Sequence, residues 1–300
     1  MKGRAEEGQV SSVASRGYLA ESQRPLSILV FLLPLLAAGL LPTGQLAAQQ
    51  VPGNSGKPLE VYAEEGIEWR REERVYIARG NARAIQDDTE IAAHELRAYY
   101  TGSGEGGGDI YKVEAVGNVV ITSPGGQAFG DRGTYDVRSQ VAVLTGNGLK
   151  LVTESDVVTA RDSLEYWQAK NLAVARGDAE ATRVDEEDGS TNIIRADVMT
   201  ATFTETGNGE QELTVVDAYD AVEILTPCEY LTGDRGRYLV VEQLAYLSGN
   251  VKITRGDNQL NGDEAEVNLA TGISTLTGDR VQGLLIPNQG GGAAAPGNCN

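Results

Sequence analysis

An all-β fold, an elongated twisted antiparallel β jelly roll built from repeated two-strand modules, is what this 300-residue sequence predicts. Three observations carry the prediction. Apolar and polar residues alternate with period two through Val113–Thr122, Val137–Thr145, Gly148–Thr153, Ala221–Leu225, Val251–Thr254 and Val267–Thr275, as half-buried strands require. Glycine followed by Asn or Asp recurs at Gly80-Asn81, Gly117-Asn118, Gly146-Asn147, Gly177-Asp178, Gly249-Asn250 and Gly278-Asp279, with a Gly-less version near Asp217-Ala218. The steps are roughly 30 to 40 residues, the period of a repeated structural unit. A stripe at helical spacing is missing: Thr159–Ala175 comes nearest, and it aligns better as another module.

Taken in order, the chain opens on a polar, aperiodic leader to Gln23. Arg24 then precedes an apolar run from Pro25 to Leu41, interrupted by Pro34 and followed by small residues up to Ala48. A positive flank, a short apolar centre and a small-residue cut site read as a secretory signal peptide over residues 1–48. Gln49 to Lys57 is rich in Pro, Gly and Asn, so residues 49–58 read as a linker. The β domain spans 59–287, with two halves at about 59–175 and 176–287, and the Gly/Ala-rich 288–300 reads as a disordered tail.

Within the domain the clearest module is Arg79 to Tyr100. Gly80-Asn81 tolerates left-handed or turn backbone and is expected to start a strand, Gln86-Asp87-Asp88 supplies the reversal, and Thr89 to Tyr100 returns. The return strand holds a small residue followed by Asp in later copies: Gly130-Asp131, Ala196-Asp197, Gly233-Asp234 and Gly262-Asp263, with the variant Ala160-Arg161-Asp162. Here His94 stands in the Asp slot. Strands of the usual five or six residues fit the spacing.

This motif resembles the LptA/OstA family of lipopolysaccharide-transport proteins. The resemblance covers about Leu59 to Pro287 and is strongest at Gly80-Asn81, at Ile91 to Tyr100 and at Gly278 to Pro287. It implies a non-enzymatic periplasmic protein that binds lipopolysaccharide through its acyl chains and carries it from an inner-membrane transporter towards the outer membrane. The partners it implies are inner-membrane LptC-like and outer-membrane LptD-like proteins. A stack of hairpins also leaves an open strand at each end, near Leu59–Ala63 and Ile273–Leu285, through which copies join head to tail. Two other readings remain open at this point. One is an LptC-like subunit that keeps Pro25–Leu41 as a membrane anchor; the other is a secreted parallel β-solenoid, an adhesin or polysaccharide-active protein.

Composition narrows the chemistry. With 25 basic and 43 acidic residues the net charge is −18, and the leader, with four basic and three acidic residues, carries none of the excess. Such a surface repels nucleic acid and also lipid phosphates, so a lipid must be held by its chains. His94 is the single histidine, which removes multi-His metal sites and most His-dependent catalysis. Gly102, Gly104 and Gly107 spell a dinucleotide loop but precede a strand rather than a helix, and Asp185–Asp188 lacks the alternating ligands of a Ca²⁺ loop. No cofactor is expected. Cys228 has only Cys299 to pair with, and the loose tail argues against a structural disulfide.

The informative residues are therefore apolar. The first and third positions after each Gly pair are Ala82 and Ala84, Val119 and Ile121, Ala179 and Ala181, and Val251 and Ile253; after Gly146 the pattern shifts by one, to Leu149 and Leu151, as if Gly148 were an inserted bulge residue. Period two puts each pair on one face. These ten are the candidates for lining an interior that accepts acyl chains.

Overall fold

Gly80-Asn81, Gly117-Asn118, Gly177-Asp178 and Gly249-Asn250 do not start strands but bend long strands in the middle, whereas Gly146-Asn147 and Gly278-Asp279 each separate two strands. This corrects the expectation of five- or six-residue strands, and the reason is that a bulge kinks a ladder without ending it. In a computed structural model, residues 59–286 are described apart from 87–88, 103–107, 124, 185–188, 206–210, 270 and 272. The segments expected to be a signal peptide (1–48), a linker (49–58) and a tail (288–300), and the acidic Asp185–Asp188 stretch, lie outside the described residues. Among the described residues one 18-stranded sheet contains every strand, all of them paired antiparallel, which excludes a parallel solenoid for them.

In chain order the strands are β1 (Glu60–Tyr62), β2 (Gly66–Arg70), β3 (Val75–Gln86), β4 (Thr89–Tyr100), β5 (Ile110–Ser123), β6 (Gly126–Asp136), β7 (Val141–Thr145), β8 (Leu149–Val152), β9 (Asp156–Ala160), β10 (Ser163–Trp167), β11 (Leu172–Val184), β12 (Thr191–Glu205), β13 (Gln211–Leu225), β14 (Tyr230–Leu239), β15 (Leu244–Arg255), β16 (Asn258–Asn268), β17 (Ile273–Thr277) and β18 (Gln282–Leu284). A single 3₁₀ turn, Gln168–Lys170, interrupts the stretch that came nearest to a helix. β1 and β2 lie end to end along β3, as do β7 and β8 along β6, and β17 and β18 along β16.

Every ladder between two long strands breaks register at the same column. The breaks fall at Arg79/Ala82, Val116/Val119, Arg176/Ala179 and Ser248/Val251. Strands with a glycine hinge alternate with strands with an acidic one, except that His94 takes the acid's place on β4, beside Gly117, and Asp220-Ala221 the glycine's place on β13; the two kinds fit together. Gly249 has φ +78°, and a Cβ there would lie 2.3 Å from Asp234 Oδ2; Gly80, at φ +77°, faces Glu65 in the same way. The missing Cβ leaves room for the neighbouring carboxylate, which accepts the backbone N–H that the bulge frees: Asn147 N donates to Asp131 Oδ2 at 2.8 Å and Asp279 N to Asp263 Oδ2 at 2.9 Å. Asp131→Ala is expected to cost about 1 kcal/mol, read as a lower midpoint in urea.

The Gly-less hinge is Asp220-Ala221, at φ +62° and +52°, not Asp217-Ala218. The register break between Tyr219 and Val222 fixes it there, and Asp217 instead takes Arg237 Nε at 2.6 Å. Cys228 is disulfide-bonded, contrary to the expectation drawn from the tail; its only possible partner, Cys299, lies outside the described residues.

The bend folds each long strand into two arms whose inner faces enclose the core. Ala82, Val119, Leu149, Ala179, Val222 and Val251, at most 1% exposed, sit beside the hinge. The outer face of the first arm is charged. Glu68 and Glu95 each accept from Arg79 at 2.6 Å, Arg97 also binds Glu95, and Ile77 lies buried between Glu68 and Arg97 in the ladder.

Hydrogen bonds from Arg70 and Arg79 hold the Glu68 carboxyl down at about 2, and Arg83 lowers Glu90. Burial pushes Glu95 up, but Arg97 and Arg79 outweigh it and leave it below the usual range. Depressed carboxylates stabilise the fold above the unfolded value of about 4.3 and lose that contribution as pH falls towards the folded values. Melting temperature is therefore expected to stay flat from pH 8 to about 5 and to fall between about pH 4.3 and 2. The drop shrinks in 1 M salt, most for the exposed Glu68 and least for Glu95, whose side chain is half-buried; a melting temperature that rises on acidification contradicts the assignment.

Candidate functional site

Parity carries across the hinge, so the inner face can be followed strand by strand. On the second arm one cross-strand row runs Val61, Ala84, Ile91, Ile121, Ala128, Leu151, Val158, Ala181, Ile194, Ile224, Leu231, Ile253, Leu260. It is apolar from end to end. All five third-position candidates, Ala84, Ile121, Leu151, Ala181 and Ile253, belong to it. The first-position candidates, Ala82, Val119, Leu149, Ala179 and Val251, lie one step closer to the hinge and are buried in the core, Val119 with one side on the cavity described below.

On the first arm the row nearest the hinge mixes small residues with large aliphatic ones: Ala78, Leu96, Ala115, Gly133, Leu144, Leu164, Ala175, Met199, Ala218, Gly236, Leu247, Ala265. The next row out carries the aromatics Trp69, Tyr76, Tyr135, Tyr166 and Tyr238 between alanines and valines.

Between the arms, over β1 to β7, lies a cavity of about 240 Å³. Its walls are aliphatic and aromatic except at Gln86, Thr89, Arg97, Gly133 and Thr134. Ala84, Val119 and Ile121 line it from the candidate set, whereas Ala82, Leu149, Leu151, Ala179, Ala181, Val251 and Ile253 are not among its walls. Leu151 and Ile253 are buried, while Ala84, Ile121 and Ala181 are half-buried. The opposite wall, Tyr76, Ala98, Val113, Tyr135 and Ala142, was missed in the sequence. Counting period two backwards across each hinge, with the bulge as one extra pair, finds it.

Leu59, Val61 and Ile67 also line the cavity and are 38%, 38% and 58% exposed, so it reaches solvent at the β1/β2 end. Tyr135 sets a phenol in the first-arm wall of the cavity: burial pushes it up to about 12, so it stays neutral, and its hydroxyl donates to Gln168 Oε1 at 3.3 Å. At the outer end Trp69 stacks on Tyr76 at 5.5 Å and donates to the Tyr100 hydroxyl at 2.8 Å.

Such a space takes an apolar chain, Arg97 being the one charged residue on its walls. The volume is somewhat below the roughly 300–1,000 Å³ of ordinary small-molecule sites. It suits one acyl chain rather than a whole multi-chain lipid, and each buried CH₂ contributes about 0.8 kcal/mol. Among the described residues no three His, Cys, Asp or Glu side chains are placed to hold a metal ion.

Among curated proteins no relative matches the sequence. A solved structure that it is similar to is LptH, the LptA-homologous periplasmic component of the conserved lipopolysaccharide transport device from Pseudomonas aeruginosa: 10% of residues are identical, the match covers 79% of this chain and 100% of that one, and the TM-score is 0.20. No residue is carried over from it. The pattern of the LptA/(LptD N-terminal domain) LPS transport protein family matches twice, over residues 61–166 and 158–273. With alternating strands, a repeated hinge and two matches that together span more than half its length, the chain belongs to the LptA/LptD N-terminal-domain family of lipopolysaccharide transport proteins.

Proposed function

We propose that this protein carries lipopolysaccharide through the periplasm, from an inner-membrane transporter towards the outer membrane, and that it works without catalysis. The observation that carries the reading is the apolar cavity between the arms, open at the β1/β2 edge and continued by an apolar row across the sheet. Acyl chains lie against Ala84, Val119 and Ile121 while the sugar and phosphates stay in water, away from the acidic surface. LptC-like and LptD-like proteins engage the exposed end strands. The ten candidates divide accordingly: those on the cavity wall touch lipid, and the remainder build the core that holds the arms apart.

A photo-reactive residue in place of Ile121 is expected to capture lipopolysaccharide in cells, and one in place of Val120, on the opposite face, is not. Equal capture at the two positions rejects the reading. The leader is proposed to be cleaved near Ala48, which mass spectrometry of the cell-derived protein checks; a full-length, membrane-bound species would instead favour an LptC-like anchored subunit.

A further inference from the structure

The cavity between the arms is a lane with one open end. It starts at Leu59, Val61 and Ile67 on the exposed β1/β2 edge, passes β3, β4, β5 and β6, and ends on β7 at Ala142, Val143 and Leu144. Among the described residues none from β8 onward is on its walls. Towards the strand tips it is bounded by Gln86 and Thr89, 5% and 3% exposed, so solvent meets it at the edge rather than at those tips.

The far end is closed by side chains, not by the backbone. Leu144 reaches over Gly133: a Cβ on that glycine would lie 3.3 Å from Leu144 Cδ2 and 3.6 Å from Val119 Cγ1, so the leucine fills the space beside Val119 that the glycine leaves. Behind it the interior is packed. Leu144 pairs with Leu164 and Ala142 with Tyr166, which are 6% and 2% exposed. The Tyr166 hydroxyl donates to Gln211 Oε1 at 2.9 Å, which holds the ring in place beside Ala142. On the second arm the row goes on past Ile121 to Ala128 and Leu151, 2% and 5% exposed and no longer on the wall. We infer that this blind lane measures the acyl chain it takes, with Leu144 and Ala142 as the stop that sets the accepted length.

The chain enters lengthwise at the edge and lies across the strands. Neighbouring strands are about 4.8 Å apart, so the four steps from β1/β2 to β6 span about 19 Å, the length of an extended chain of about 15 carbons at about 1.25 Å each. Up to that length each added CH₂ is buried and raises affinity about fourfold. Further carbons stay at the edge in water and add nothing. The second half of the chain provides a control. Leu247 reaches over Gly236 as Leu144 does over Gly133, with the missing Cβ 3.5 Å from Leu247 Cδ2, and it is 2% exposed but not on the cavity wall. That the chain belongs to lipopolysaccharide rests on the function proposed above; the length limit rests on the cavity alone.

Titrating the protein purified from cells with neutral monoacylglycerols tests it, the saturated chains running from about 8 to about 18 carbons and each kept below its micelle concentration. Affinity is expected to climb about fourfold per CH₂ and to level off near 15 carbons. Leu144→Ala, which opens the stop, is expected to move the break up by about two carbons, and Ala142→Leu, which thickens it, to move the break down by about two. Leu247→Ala is expected to lower the melting temperature as Leu144→Ala does and to leave the break in place. Should Leu144→Ala fail to fold, Ala142→Leu decides alone, since it takes no packing atom out of the core. The absence of a break, a break that Ala142→Leu does not move, or one that Leu247→Ala moves as far as Leu144→Ala would each overturn the stop. Lipopolysaccharide capture at Ile121 without a break sinks the length limit and leaves the proposed function standing; a break that the variants move, without capture, does the reverse.

Discussion

Ile121→Asp is expected to abolish lipid capture while leaving the sheet assembled. Ile121 is half-buried, lines the cavity, and sits between Ile91 and Ala128 in the inner row. A carboxylate there would face an almost wholly apolar space with no cation on its own row, and an unpaired buried charge costs several kcal/mol unless it neutralises. Because the cavity already opens to solvent, the apo protein relieves part of that cost by hydrating the group, and the full penalty returns only when an acyl chain displaces the water. The effect should therefore fall on binding first: at least about 3 kcal/mol, a loss of more than about a hundredfold in lipid affinity. Ile253→Asp is the contrast. Ile253 shares the row but is 4% exposed and is not on the cavity wall, so its substitution is expected to lower the melting temperature sharply. Binding loss in Ile121→Asp that merely tracks an equal loss of folding would remove the distinction between cavity wall and core.

Gly249→Val is expected to be the most destabilising single change at the hinge column, by about 3 kcal/mol or more. Two costs add. Its backbone, at φ +78°, lies where a β-branched residue is strained, and its Cβ would meet Asp234 Oδ2 at 2.3 Å and Asp234 Cβ at 2.8 Å. Moving Asp234 away also removes the acceptor for Asn250 Nδ2, now at 3.0 Å. For a domain of this size that amounts to a fall of roughly 6–12 °C in melting temperature. Gly148→Ala separates the two costs: φ is +63° but nothing lies within 4 Å of the new Cβ, so only backbone strain of about 1–2 kcal/mol is expected. Equal melting temperatures for the two variants would show that the packing of acid against glycine contributes nothing.

The sequence by itself determined the sheet, its antiparallel sense, the inner face and the two open ends. Each is a local property: side chains alternate with period two, and a glycine next to an acid is a complementary pair wherever the chain brings it. The shift by one at Leu149 and Leu151 was visible for the same reason, since Gly148 is an extra residue on one strand. What needed the tertiary structure was everything set by a neighbour two strands away or by the opposite arm. Asp217-Ala218 and Asp220-Ala221 are the same dipeptide, and only the ladders to β12 and β14 show that the second is the hinge while the first carries the Arg237 pair. The hinge's place in mid-strand was equally hidden, because a bulge and a turn use the same residues. Likewise Ala84, Ile121, Leu151 and Ile253 share one row and one parity, yet the first two open onto the cavity and the last two are sealed. That difference is made by how closely the facing arm approaches, and packing of this kind depends on side-chain volumes summed across both arms, which no stretch of a single strand encodes.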